Sequence, residues 1–324
     1  MTTPPVDETA APPGAERGQE GMPAPRRPIS VLRGPFGVRA GWRIVLWLGA
    51  FVFLAALTFW IVMAAGVRPG LESTTAVELF AAVVAGIAML VLVDRRRPGA
   101  LGYAADRAAP RDSALGFALG GAAIALAAGL LTVAGSVRWV ADSGTWPEYV
   151  AALAWALLLF TVAAAAEEAL FRGYVFQALV QGIGAWPAVI ASSALFALAH
   201  RSNPGVTTVA LVNIFLAGIM LGWAYLRTRS LWFCTGVHLG WNWTMSALMD
   251  FPVSGLVRDT PLYGVTAIGP RWFTGGDFGP EGGIAASLVI VLLTALLLWV
   301  PWVRESARMR ELRPLVDARM GSGS

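Results

Sequence analysis

Apolar residues run through this chain in long blocks rather than at the three-or-four spacing of a helix on a soluble protein's surface. Eight blocks stand out, at 41–66, 74–93, 114–135, 148–181, 186–203, 206–226, 231–250 and 284–303. A helix needs about 20 apolar residues to cross a bilayer. The pattern therefore predicts an all-α, polytopic membrane protein with about eight transmembrane helices. The fourth block is too long for one crossing, so it must tilt or lay its end, from Gly173 onward, at the interface. The fifth is short, opened by Trp186-Pro187 and closed by Asn203-Pro204. In the sixth, Gly218 and Gly222 permit a close helix approach. Residues 1–35 are rich in Pro, Ala, Gly and charge and are expected to form a disordered cytoplasmic tail, with no cleavable signal peptide. A transmembrane domain over 36–304 and a polar cytoplasmic tail over 305–324 complete the organisation.

Charge sets the orientation. Arg26, Arg27, Arg33 and Arg39 precede the first block, and Arg95, Arg96 and Arg97 follow the second. Arg227 and Arg229 follow the sixth, and Arg304, Arg308, Arg310 and Arg313 follow the eighth. Loops between are sparser in Arg, which puts both termini in the cytoplasm and the long Gly- and Pro-rich loop 251–283 outside. Composition agrees: 56% of residues are hydrophobic and 14% charged, with a mean hydropathy of +0.63. The net charge of +4 comes from Arg alone, with no Lys. Because those Arg residues flank apolar blocks, they indicate a lipid bilayer partner and no nucleic acid. Exclusive Arg with abundant Ala and Gly suggests a bacterial source and hence a bacterial cytoplasmic membrane. The single Cys234 excludes an intramolecular disulfide and is expected to act as a small apolar residue.

Ionisable groups inside such blocks cost about 2.5–3.5 kcal/mol each on insertion scales, so they are usually functional. The only two histidines, His200 and His238, lie in the fifth and seventh blocks, and Glu167 and Glu168 in the fourth. Glu168 and Arg172, Phe196 and His200, and His238 and Asn242 are each four apart, on one helix face. Arg172 is placed to neutralise Glu168, which leaves Glu167, roughly 100° around the helix, to act as a base. His200 can share a water with Glu167, directly or through a metal ion. His238 and Asn242 can donate to an oxyanion, a term worth about 3–4 kcal/mol. From the helical rise, Glu167 and His200 lie about 20 Å and His238 about 10 Å from the basic ends, which suits one cavity reached from that half. Phe196 is expected to pack beside His200, and Asn213 to bond between helices. The alternative for the acids is a structural Glu–Arg network. No His-Glu-x-x-His occurs, Gly275-Gly276-Asp277 lacks the spacing of intramembrane aspartyl proteases, and no embedded serine has a rhomboid-like histidine.

Glu167-Glu168-Ala-Leu-Phe-Arg172, Phe196-Ala-Leu-Ala-His200 and His238-Leu-Gly-Trp-Asn242 resemble the three motifs of the CPBP family. These are the CAAX-prenyl-protease and bacteriocin-processing intramembrane proteases. The resemblance covers about 148–250 and departs at no motif position. It implies an intramembrane endopeptidase acting on membrane-associated protein or peptide substrates. Glu167, His200, His238 and Asn242 would be catalytic, with Glu168 and Arg172 as structural support. It also leaves two mechanisms open: a zinc metalloprotease with Glu167, His200 and His238 as ligands, or a metal-free glutamate-type protease. Two rivals stay open beside it. One is a non-proteolytic immunity or scaffold factor that keeps the fold, and the other a proton-coupled transporter, although no inverted repeat is visible.

Overall fold

All eight apolar blocks fold as helices. The structure is a computed structural model and describes residues 1–2, 31–34, 37–258 and 260–317. The tail expected over 1–35 therefore lies outside the described residues, apart from 1–2 and 31–34. A two-residue strand, β1 (Arg33–Gly34), pairs antiparallel with β2 (Gly37–Val38). Then come α1 (Ala40–Ala64) and α2 (Leu71–Ala88), which a π turn extends over Met89–Val93. Next are α3 (Ala108–Val133), β3 (Val137–Ala141), α4 (Trp146–Phe171) and α5 (Tyr174–Ile183). After these follow α6 (Ala185–Ala199), α7 (Thr208–Thr228), α8 (Leu231–Ala247) and β4 (Tyr263–Ala267). The short α9 (Arg271–Thr274), α10 (Ile284–Trp299) and α11 (Ala307–Leu312) end the order.

Ala40–Ala64, Leu71–Val93, Ala108–Val133, Trp146–Ile183 and Thr208–Thr228 are long and apolar enough to cross a membrane. Helices α6, α8 and α10 have 15, 17 and 16 residues. At 1.5 Å per residue they fall short of a hydrocarbon layer about 30 Å thick. Helix α1 is the outlier in burial: only 6% of its apolar window is covered. Its Val45, Leu48, Val52, Phe53 and Trp60 face outward, as lipid contact allows.

The long fourth block breaks for a local reason. A Cβ on Gly173 would lie 2.1 Å from the Ala169 carbonyl oxygen, so only glycine lets the chain turn there. Helix α5 then leaves in a new direction and packs on α1 and α6.

The tightest crossing joins α3 to α8. A Cβ on Gly116 would come 2.3 Å from the Phe233 carbonyl, and one on Gly120 2.0 Å from that of Val237. From the other side, a Cβ on Gly236 would meet the Ser113 carbonyl at 2.5 Å, and one on Gly240 that of Phe117 at 2.1 Å. Two small-xxx-small pairs thus bring the backbones together. His238 sits between the two glycines of α8 and is fixed by that crossing. Gly218 of α7 does the same against Ser193 of α6, with a Cβ contact of 2.8 Å.

The loop 251–283 is more ordered than its composition suggests. Its β4 pairs antiparallel with β3, with Trp139 opposite Val265, and β-branched and aromatic residues supply the strand preference. At the basic end of the bundle, residues 303–317 fold back over the helices and bury Val303, Met309, Leu312, Leu315 and Val316. The Leu315 N–H donates to Gln177 Oε1 at 3.0 Å, and Arg229 pairs with Asp317 at 2.9 Å.

Candidate active site

The last turn of α4 carries two acids with different surroundings. Glu168 is fully buried and its Oε1 accepts from Arg172 Nη1 at 2.9 Å, the ion pair that the four-residue spacing suggests. Arg172 is equally buried; its Nη2 reaches the Gly218 carbonyl at 3.4 Å, and its guanidinium lies 4.4 Å from the Phe196 ring centroid. That cation–π contact gives Phe196 a second task. Its ring also meets those of His200 at 4.8 Å and His238 at 6.1 Å, both edge-on. Ser192 Oγ donates to the Phe171 carbonyl at 2.7 Å and so satisfies one exposed end of α4.

Glu168 has another partner that the spacing did not reveal. Its Oε1 also lies 3.0 Å from His238 Nδ1. A carboxylate can only accept, so Nδ1 carries the hydrogen and the ring is oriented from behind. His200 is oriented in the same manner, with Nδ1 2.8 Å from the Phe196 carbonyl oxygen. Both rings therefore turn Nε2 toward Glu167.

The Glu167 side chain is 32% exposed, and its Oε2 lies 4.0 Å from His200 Nε2 and 3.8 Å from His238 Nε2. Among the described residues that oxygen makes no hydrogen bond. The gaps exceed direct hydrogen-bond length. They are also wide for zinc, whose ligands, bound at about 2.0–2.1 Å on a tetrahedron, sit about 3.3 Å apart. No group of three or more His, Cys, Asp and Glu among the described residues is arranged to hold a metal ion. The expected set of Glu167, His200 and His238 does not fit that coordination as placed.

His200, His238 and Asn242 line one cavity of about 50 Å³, where a single water needs roughly 10–15 Å³. Its other walls are mostly apolar, from Phe196, Ile214, Leu221, Val237 and Ile290. Two lining residues come from the long loop: Ser254 and Glu281. Glu281 is 5% exposed and accepts from Trp241 Nε1 at 3.2 Å and from Ser254 Oγ. Burial pushes its carboxyl above the usual range; the Ser254 bond, the nearby His200 and the Trp241 bond pull it back. Asn213 bonds between segments as expected. Its Nδ2 donates to the Glu281 and Gly283 carbonyls at 2.8 and 2.9 Å, and its Oδ1 accepts from Ser287 at 2.7 Å.

The loop thus closes the cavity at the end opposite the basic tails, and Asn203 Nδ2 ties α6 to it through the Ser254 carbonyl at 3.0 Å. Sequence reasoning missed Glu281 because its neighbours, Gly279-Pro280 and Gly282-Gly283, read only as turns. Trp241, inside the third motif, was the available pointer to a buried acceptor. Cys234 is buried as expected, with Sγ 3.7 Å from the Leu221 carbonyl. Among curated proteins and among solved structures, none matched this chain. A family model does match, over residues 149–244, and its description is type II CAAX prenyl endopeptidase Rce1-like. That segment runs from the start of α4 almost to the end of α8 and holds all three motifs, so over these residues the chain is similar to that family.

Proposed function

We propose that this protein is an intramembrane endopeptidase that hydrolyses peptide bonds of membrane-associated protein or peptide substrates by a metal-free, carboxylate-activated water. One observation carries the reading. Glu167 Oε2, without a hydrogen bond among the described residues, faces the Nε2 atoms of both histidines at 4.0 and 3.8 Å. Those separations suit one shared water better than direct contact. With Nδ1 of His200 committed to the Phe196 carbonyl, its Nε2 is an acceptor in the neutral ring. A water between them gives one hydrogen to Glu167 and the other to His200.

As the water oxygen attacks the scissile carbonyl carbon, Glu167 takes its proton. The carbonyl becomes an oxyanion. His238, protonated at both nitrogens, keeps its bond to Glu168 and offers Nε2–H to that charge, with the Asn242 amide beside it. Collapse of the tetrahedral adduct breaks the C–N bond, and Glu167 returns its proton to the leaving amine. Glu168 and Arg172 hold the geometry and take no part in the proton transfer. The Arg-rich helix ends support placing both termini in the cytoplasm and the loop 251–283 outside.

The experiment compares the proteomes of membranes carrying wild-type protein or Glu167→Ala. Membrane peptides cut only with the wild type are expected. Identical proteomes, together with no cleavage of a membrane-embedded peptide pool by the purified protein, would contradict the reading.

A further inference from the structure

Among the described residues, the carboxylates of Glu168, Glu281 and Asp94 are deeply buried, and Asp94 is paired with Arg43 at 3.0 Å. Glu168 has Arg172 at 2.9 Å. Glu281 has no ion pair among the described residues, although it lines the same cavity as the two histidines. Its hydrogen bonds do not replace a cation. Trp241 and Ser254 each donate one hydrogen to it, whereas an ionised carboxylate has about four acceptor positions. Donors of this kind favour the charged form, yet a buried carboxylate without a counter-charge is costly.

His200 lies near enough to favour the charged form of Glu281 but makes no ion pair with it. Its Nδ1 is bonded to the Phe196 carbonyl and its Nε2 faces Glu167. The cavity's other walls, Ile214 and Ile290 among them, are mostly apolar, and its two amides, Asn213 and Asn242, carry no charge. A structural latch between the loop and α8 needs only an acceptor for Trp241, which a glutamine would supply without the charge. The cavity is therefore complementary to one compact cation that enters with the substrate. An ammonium is little larger than a water and fits a space of about 50 Å³ better than a planar guanidinium does.

We propose that Glu281 is a specificity-determining residue that receives the ammonium group of a substrate lysine lying next to the scissile bond. The inference rests on the peptidase reading above. Apolar walls would hold the lysine methylenes while Glu281, Trp241 and Ser254 surround its head. The carboxylate then gains the partner that Glu168 finds in Arg172.

The test uses full-length protein reconstituted in vesicles and N-acetylated membrane-spanning peptides of one sequence. Lysine is moved through each position around the cleavage site and compared with norleucine, its uncharged isostere. At one position, wild type is expected to favour lysine by about tenfold or more in kcat/KM, the worth of one charge-assisted hydrogen bond. Glu281→Gln should bring that ratio close to one, and Glu281→Asp should keep part of it. A wild type indifferent to lysine at every position overturns the proposal, even if Glu281→Gln fails to fold. An equal lysine preference in Glu281→Gln overturns it too. Competition binding of the same peptides to Glu167→Gln protein separates this inference from its premise. Lysine-dependent binding that vanishes in Glu167→Gln/Glu281→Gln supports the ammonium site even if wild type cleaves nothing, in which case only the peptidase reading falls.

Discussion

The two sides of the last turn of α4 differ more than two adjacent glutamates would suggest. On the buried side, Glu168 Oε1 takes bonds from an arginine and a histidine, and Phe196 stacks behind the arginine. On the other side, the Glu167 side chain is a third exposed, and its Oε2, itself buried, makes no hydrogen bond among the described residues. One residue's step around a helix, about 100°, thus separates a group that holds the site from a group available to react. In the proposed mechanism, stability and reactivity fall to different acids. Substitutions should split accordingly.

Glu168→Gln should have the largest effect on stability. It leaves Arg172 as a buried cation without its partner, a defect of about 3–5 kcal/mol in soluble proteins, and it weakens the hold on His238. Thermal unfolding in detergent should show a clear loss, and peptide cleavage should fall with it. The double change Glu168→Gln with Arg172→Gln should recover part of the stability, because neither charge is then left alone. A double variant as unstable as the sum of its parts would break the comparison on its buried side.

Gly120→Ala comes next. Its new Cβ would sit 2.0 Å from the Val237 carbonyl, one residue from His238. Overpacking of this kind costs about 1–3 kcal/mol. Both the unfolding midpoint and the cleavage rate should drop. Unchanged values for both would mean that the α3–α8 crossing does not position His238.

Trp241→Phe should be milder. A smaller aromatic ring is kept while the N–H to Glu281 is lost, a hydrogen bond worth on the order of 1 kcal/mol. A Trp241→Phe protein less stable than Glu168→Gln would show that the loop latch, and not the Glu168 network, holds the site together.

These predictions differ in how readable their residues were. The motif helices were legible because charges at membrane depth are rare and their four-residue spacings fix a face, so Glu168 with Arg172 and His200 beside Phe196 could be paired from the chain alone. The Glu168–His238 bond was not legible, since it joins α4 to α8 across 70 residues and no local pattern encodes it. Gly116, Gly120, Gly236 and Gly240 stood in the sequence at the proper intervals, but a glycine pair names no partner helix. The loop was hardest. Residues 263–267 pair with 137–141 across more than a hundred residues, and Glu281 is hidden among turn-forming glycines. The helical frame follows from hydropathy; the contacts that close it are long-range and carry little sequence signal.

Glu167→Gln is the most direct test of the division between the two acids. The amide keeps the side-chain volume and removes the charge, and the side chain is partly exposed. Cleavage of a membrane-embedded peptide by purified, chelator-treated protein should be measured beside the thermal midpoint of the same sample. The account predicts active wild type, a Glu167→Gln rate lower by about 10²–10⁴-fold, and a midpoint close to that of wild type. A Glu167→Gln protein that cleaves normally, or one destabilised while Glu168→Gln stays folded and inactive, would contradict it.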